Sequence, residues 1–377
     1  MALRTGRLAN GREVVWLRDD RLAVAVAPGG GHIAAIQRAD APDAPSPLWV
    51  PPWASQEPEA VTEAAVAAEY GGPPEGRTLA SILGHNLALG LFGAPSAEET
   101  AAGVVTHGFF GVRRWAWRED GPGLLASCQD PTSGIGIERR IELDGGMAWA
   151  EETVTNLGIW DRPIAWQQHV TLGPPWLEDG AFWLEANALR GQAFPVSLSE
   201  DSRLQPGAEG SWPRMPGRQG RAVDYAELPL APASEFAAFQ IEPGAEWGYF
   251  VAGNRRLGQA LFYAWPRAVF PWLGVWDERD SRRSAPWNGR TWTRGLEFGA
   301  SPFPASRREL LRQPALWDTP AYAWLPAAGR LHVRYAFGLF ALPEGERGEL
   351  RWRGGEAQVW ARQRMAAWLR SQRAQRG

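Results

Sequence analysis

His107, His169 and Glu297 are the residues of this chain whose types and settings point to acid–base chemistry. They sit in VVTHGFFGVRRW, PIAWQQHVTLG and TWTRGLEFGAS, apolar, glycine-flanked and strand-like segments far apart in sequence, so only a folded sheet can gather them. Glu297, between Leu296 and Phe298, is either paired with an arginine such as Arg294 or held for proton transfer. His169 ends a polar triplet with Gln167 and Gln168 inside an apolar run, and Gly108 beside His107 permits close approach of a ligand to the backbone. For each histidine taken alone, a buried and hydrogen-bonded structural role is the alternative.

Three more histidines complete the set. His32 opens a strand after three glycines, and His332 alternates as an ordinary strand residue in LHVRYAF. His85, in SILGHNLALG, reads as a polar loop position placed to touch a ligand, with a structural role equally open.

Composition removes several chemistries. All 39 basic residues are arginine, so no lysine is present to form a Schiff base, hold a pyridoxal cofactor or complete a P-loop. The single cysteine, Cys128, excludes a disulfide framework and a cysteine-rich zinc site, and its setting in LLASCQD is that of a strand end. No H-x-H or H-E-x-x-H spacing supports a metal site, no G-x-S-x-G elbow supports a serine triad, and no cofactor is expected. A net charge of −3 with arginines scattered among acids argues against nucleic acid. Without an apolar leader or an 18-residue apolar run, the expectation is a cytoplasmic protein with no membrane partner. Tryptophan is abundant, 22 residues, and most are expected in the core, with a minority stacking on a ligand face in a concave site.

The elements that must position the histidines and the glutamate are short β-like runs bounded by Gly, Pro, Asn and Asp, from EVVWLR and LAVAVA to LHVRYAFGLF. Their number and alternation predict an all-β protein of two large packed antiparallel sheets, in one domain over residues 1–377. Helices are expected over 57–70, at PSAEET, at PASRRELLRQ with Ser306 and Glu309 as a capping box, and over about 355–374 docked on the body. The stretches 39–58 and 191–220 read as surface loops, and WDERDS at 276–281 as a solvated hairpin loop.

THGFFGVRRW, VTNLGIWDRPIAWQQHVTLGPPWL and TWTRGLEFGASPFPASR resemble, in order, the histidine-glycine segment, the general-acid strand and the base-glutamate strand of the galactose mutarotase (aldose 1-epimerase) family. The likeness spans roughly residues 22–340 and is nearest to the divergent branch of that family. It implies a β-supersandwich and cofactor-free interconversion of the α and β anomers of a free sugar. By the same resemblance Glu297 takes the proton from the anomeric hydroxyl, His169 protonates the ring oxygen and His107 orients the sugar.

The family's asparagine-histidine pair is here Gln168-His169, and His85 and Asn86 occupy the place in order of its arginine motif. Asp224 and Asp277 are the candidates for its substrate-binding aspartate, and Arg113 and Arg114 beside the His107 segment could serve an anionic sugar. Two other functions stay open on such a scaffold: sugar binding without turnover, and a glycoside hydrolase or lyase. Hydrolysis would require a second carboxylate about 5–9.5 Å from Glu297, for which Glu185 and Asp277 are the candidates.

Overall fold

The computed structural model of the protein describes residues 2–342 together with Gln363 and Ala367. Two antiparallel sheets face each other, one of 13 strands and one of eight, as the alternation predicts. The larger begins at its edge with Ala2–Arg7, Glu13–Arg18, Leu22–Ala27 and His32–Arg38. Its centre is His85–Leu89, Trp166–Leu172, Trp292–Gly299, Trp272–Arg279 and Ala233–Ile241, and it runs out through Ala188–Ala193 to the small strands Glu209–Ser211, Arg214–Pro216 and Ala222–Asp224. The smaller sheet runs Phe182–Ala186, Trp247–Asn254, Gln259–Pro266, Arg330–Ala341, Met147–Asn156, Ile135–Asp144, Gly123–Asp130 and Ala116–Asp120.

The central strands are buried on both faces, so the period of two sorts their side chains into two apolar layers. In Trp166–Leu172 every residue is buried. Trp166, Val170 and Leu172 join the core between the sheets, whereas Gln167 lies on the outer face, where its side chain exchanges two hydrogen bonds with the backbone of Ser301. Phe298 likewise turns inward and stacks on Trp265 of the smaller sheet at 4.2 Å. The neighbouring Glu297 therefore points outward.

Over that outer face lies the segment 48–82. The backbone N–H of Trp49 donates to the carbonyl of Thr171 at 2.8 Å, and Val61, Val66, Tyr70, Leu79 and Trp287 pack with Trp49 in a separate apolar cluster. The stretch expected as a surface loop thus carries a buried tryptophan down onto the sheet. Residues 191–220 are likewise more ordered than expected, because the short strands Glu209–Ser211 and Arg214–Pro216 extend the large sheet there.

The capping box expected at Ser306 forms, and a second one, not expected, starts the short helix at PSAEET. Ser306 caps Arg307–Arg312 with Glu309, and Ser96 caps Ala97–Ala101 with Glu99. The expected helix over 57–70 is shorter, Glu63–Glu69, with Thr62 accepting from the N–H of Ala65. A further helix, Gly76–Ser81, lies outside the expected ones, because a glycine start with Thr78 and Ser81 in a six-residue segment carries little helical signal. The expected helix at 355–374 falls outside the described residues except for Gln363 and Ala367, which are helical and exposed. Among the described residues no helix is long and apolar enough to cross a membrane.

Candidate active site

Register brings His169 and Glu297 together: they are direct partners on adjacent antiparallel strands, with Asn86 opposite His169 on its other side and Gly274 opposite Glu297. The imidazole Nε2 lies 3.0 Å from a carboxyl oxygen of Glu297, and Nδ1 lies 2.9 Å from the Thr171 hydroxyl. Gly295 leaves the room this contact needs. A Cβ there would stand 2.6 Å from the Glu297 carboxyl and 3.1 Å from the His169 ring.

His107 arrives from a turn rather than from the strand expected for it. The VTHGFF segment cannot remain extended because His107 and Gly108 both adopt left-handed backbone, φ 66° and 79°. A Cβ on Gly108 would meet the Leu89 carbonyl at 2.5 Å, so the turn also depends on glycine for its close approach to the sheet. The N–H of Gly93 donates to His107 Nδ1 at 3.2 Å, which leaves the proton of the neutral ring on Nε2. The ring packs edge-on to His169 with centroids 5.4 Å apart and stacks on Phe92.

These residues line a cavity of about 440 Å³ on the outer face of the large sheet. Trp49, Trp276 and Trp287 form one wall, while Phe92, Phe194 and Phe236 form another. Arg282 closes over Trp287 and Trp276, 4.7 Å and 5.8 Å from their ring centres, and donates to Glu75 at 2.9 Å.

Burial sets the protonation of the site. It pushes Glu297 up to about 8 and, with a smaller contribution from Arg282, pushes His107 down to about 4. His169 is held well below the usual imidazole value, first by burial and then by His107. Two neutral partners 3.0 Å apart with one hydrogen between them are therefore the resting form of the Glu297–His169 pair. The carboxyl donates to Nε2, and an internal proton transfer yields carboxylate and imidazolium without changing the pair's charge.

Four of the residues expected to bind substrate stand elsewhere. His85 is on a strand, not a loop, and faces the space between the sheets, where Nδ1 lies 3.1 Å from the Tyr263 hydroxyl and Nε2 3.0 Å from Gln168 Oε1. Gln168 shares that interior because it is one residue from His169 and the strand alternates; its amide donates to Glu152 at 2.8 Å. Asp277 is also turned inward. It sits in Trp272–Arg279 rather than in a solvated hairpin, and Arg294 binds it through two nitrogens at 2.7 and 2.8 Å.

Arg113 binds Asp130 at 2.7 Å in a separate cleft of about 830 Å³ at the edge of the smaller sheet. No histidine lines that larger cleft, and burial pushes its Cys128 thiol up to about 11, which removes it as a nucleophile. Asn86 does share the outer face with His169, and its amide donates to the His169 carbonyl at 3.4 Å, but it lies outside the cavity lining.

Sequence comparison finds no matching protein family and no matching curated protein. Solved structures do match. A Klebsiella pneumoniae protein provisionally assigned as an aldose 1-epimerase is 12% identical with a TM-score of 0.60, over 89% of this chain and 81% of that one. A galactose mutarotase-like protein from Clostridium acetobutylicum is 11% identical with a TM-score of 0.57, over 91% and 99%. A galactose mutarotase related enzyme from Lactobacillus acidophilus is 8% identical with a TM-score of 0.54, over 88% and 98%. The chain has the galactose mutarotase-like fold.

Tryptophans in a concave site are expected from the sequence, and the cavity of this galactose mutarotase-like fold has Trp49, Trp276 and Trp287; the sequence does not single out these three, the phenylalanine wall or the Arg282–Glu75 pair. One signal was available for Trp276. Its neighbour Asp277 is turned inward, and an alternating strand places the two on opposite faces.

Proposed function

We propose that the protein is an aldose 1-epimerase-type isomerase that interconverts the α and β anomers of a free monosaccharide by general acid–base catalysis. The observation that supports this most is the buried His169–Glu297 contact of 3.0 Å in a cavity shared with His107. As carboxylate, Glu297 takes the proton of the anomeric hydroxyl while imidazolium His169 protonates the ring oxygen, and the bond from the anomeric carbon to that oxygen breaks. The open-chain carbonyl rotates, and reclosure on its other face returns both protons. His107, with its proton on Nε2, donates to a sugar oxygen and orients the ring. No proton leaves the pair overall, so one shared proton sustains repeated turnover.

A histidine opposite Glu297 favours this reading over hydrolysis, for which a second, free carboxylate is needed across the cleft; the other two carboxylates among the described lining residues, Glu75 and Glu309, are held by Arg282 and by the Ser306 helix cap. The two readings are separated by incubating the protein with pure α anomers and, in parallel, with aryl glycosides. Accelerated anomer relaxation without release of the aryl alcohol is expected; release of the alcohol, or sugar binding without any acceleration, would defeat the proposal.

The pH profile follows from the same proton. Below about 8 the pair retains it, and above that value it is lost from Glu297, so kcat/KM falls about tenfold per pH unit on the alkaline side. On the acid side activity holds until His107 charges near 4 or the pair takes a second proton. An alkaline limb that begins near 6 instead would contradict the assignment.

Gly295→Ala places a methyl between the reacting groups while leaving the strand's backbone conformation available. Displacing either group by about 1 Å costs on the order of 100-fold in rate, with the fold retained. Circular dichroism and a mutarotation assay on the same sample check both halves; unchanged activity would show that the close contact of the pair is dispensable.

A further inference from the structure

The cavity offers a sugar few hydrogen-bonding side chains beyond those that react. Among the described lining residues, Thr78 donates to the Thr106 carbonyl at 2.8 Å, Glu309 is held by its helix cap on Ser306, and Glu75 is held by Arg282. What remains is the Thr106 hydroxyl, which has no hydrogen-bond partner, and a wall that is aromatic. Phe236 leans across Gly274 toward Glu297, so closely that a Cβ on Gly274 would stand 2.5 Å from its ring and 3.5 Å from the Glu297 Cβ.

Phe92 and Phe194 extend this wall, with ring centres 6.1 and 6.3 Å from Phe236, and Leu198 packs against the same cluster. A hydroxyl pressed on such a wall gives up its hydrogen bonds to water without replacement, whereas a methyl or methylene gains apolar contact.

Charge narrows the ligand further. Arg282 is the one arginine among the described lining residues, and it is already paired with Glu75 at 2.9 Å and near Glu278 at 3.5 Å. A phosphate or carboxylate on the sugar would have to displace one of these partners and would face Glu75 and Glu309 as like charges.

We propose that this site takes an uncharged deoxy sugar, which presents a methyl or methylene to the Phe92–Phe194–Phe236 wall, in preference to a fully hydroxylated or phosphorylated hexose. The inference rests on the isomerase reading for its turnover, but the preference itself is a property of the wall. Phe236 is then the chief specificity-determining residue.

The test uses matched sugars: D-galactose against D-fucose, D-glucose against 2-deoxy- and 6-deoxy-D-glucose, and D-glucose 6-phosphate. Anomer exchange is followed by NMR with the intact protein, and binding by tryptophan fluorescence with the Glu297→Gln protein. At least one deoxy member is expected to exceed its hydroxylated partner by roughly tenfold or more in kcat/KM and in affinity, with the phosphate ester poorest. Phe236→Asn should shrink that ratio, and Leu198→Asn, in a loop at the same wall, serves if the first variant does not fold.

Turnover with equal or reversed preference would overturn this inference alone. Deoxy-selective binding without turnover would support it and overturn the isomerase reading. Absence of both binding and turnover would overturn the two together.

Discussion

Glu297→Gln is expected to lower mutarotation by roughly 10²–10⁴-fold, the usual range for loss of a positioned acid–base group, while the protein folds and melts as before. Glutamine suits this test because the resting carboxyl donates a hydrogen bond to His169 Nε2 across 3.0 Å. An amide N–H can donate in the same direction at nearly the same size, so the cross-strand contact survives. It cannot surrender a proton, so the internal transfer that creates carboxylate and imidazolium is lost. The alkaline limb assigned to Glu297, near 8, should disappear from the residual activity. A variant with full activity would leave Glu297 no role in proton transfer.

The second large effect concerns stability rather than rate. Asp277→Asn is expected to cost about 3–5 kcal/mol of unfolding free energy while leaving KM unchanged. Asp277 is 1% exposed and receives two nitrogens of Arg294, which is itself fully enclosed. The asparagine amide can offer an oxygen to one of those nitrogens, but its own N–H₂ group must face the other, and the guanidinium charge loses its counterpart in a place water does not reach. Arg203, 3.5 Å from Asp277 and also bound by Glu235, is a second cation that loses part of its counter-charge in the same substitution. Urea denaturation measures the loss. If stability were unchanged and KM rose, the aspartate would belong to ligand binding after all.

That contrast shows where the sequence was informative. Alternation and turn residues make two large antiparallel sheets legible, and the S-x-x-E spacing at Ser306 and Glu309 locates a helix start that the structure forms. His169 and Glu297 were legible because a polar group inside an otherwise apolar strand must have a partner, and register makes each the partner of the other.

Facing was harder to read than position. Gln168 lies beside His169 and Asp277 beside Trp276, and a strand sends each neighbour to the opposite layer. Where both layers are buried, as in Trp166–Leu172, hydrophobicity does not distinguish the core face from the site face. His85 was misread for a related reason: GHNLALG has the glycine and asparagine of a loop, yet its imidazole is satisfied by Tyr263 and Gln168 between the sheets. The cavity walls were illegible because they assemble from distant segments, with Trp49 carried onto the sheet by a proline-rich stretch and Trp287 stacking on it at 6.2 Å.

The most direct measurement of the central claim is two-dimensional NMR exchange between the α and β anomer signals of a sugar at equilibrium, with increasing protein, at pH 7. If Glu297 and His169 carry mutarotation, the exchange rate rises in proportion to wild-type protein for at least one uncharged sugar and returns almost to the buffer rate with Glu297→Gln. Exchange that stays at the buffer rate for every sugar tested, or that rises equally with wild-type and Glu297→Gln protein, would contradict it.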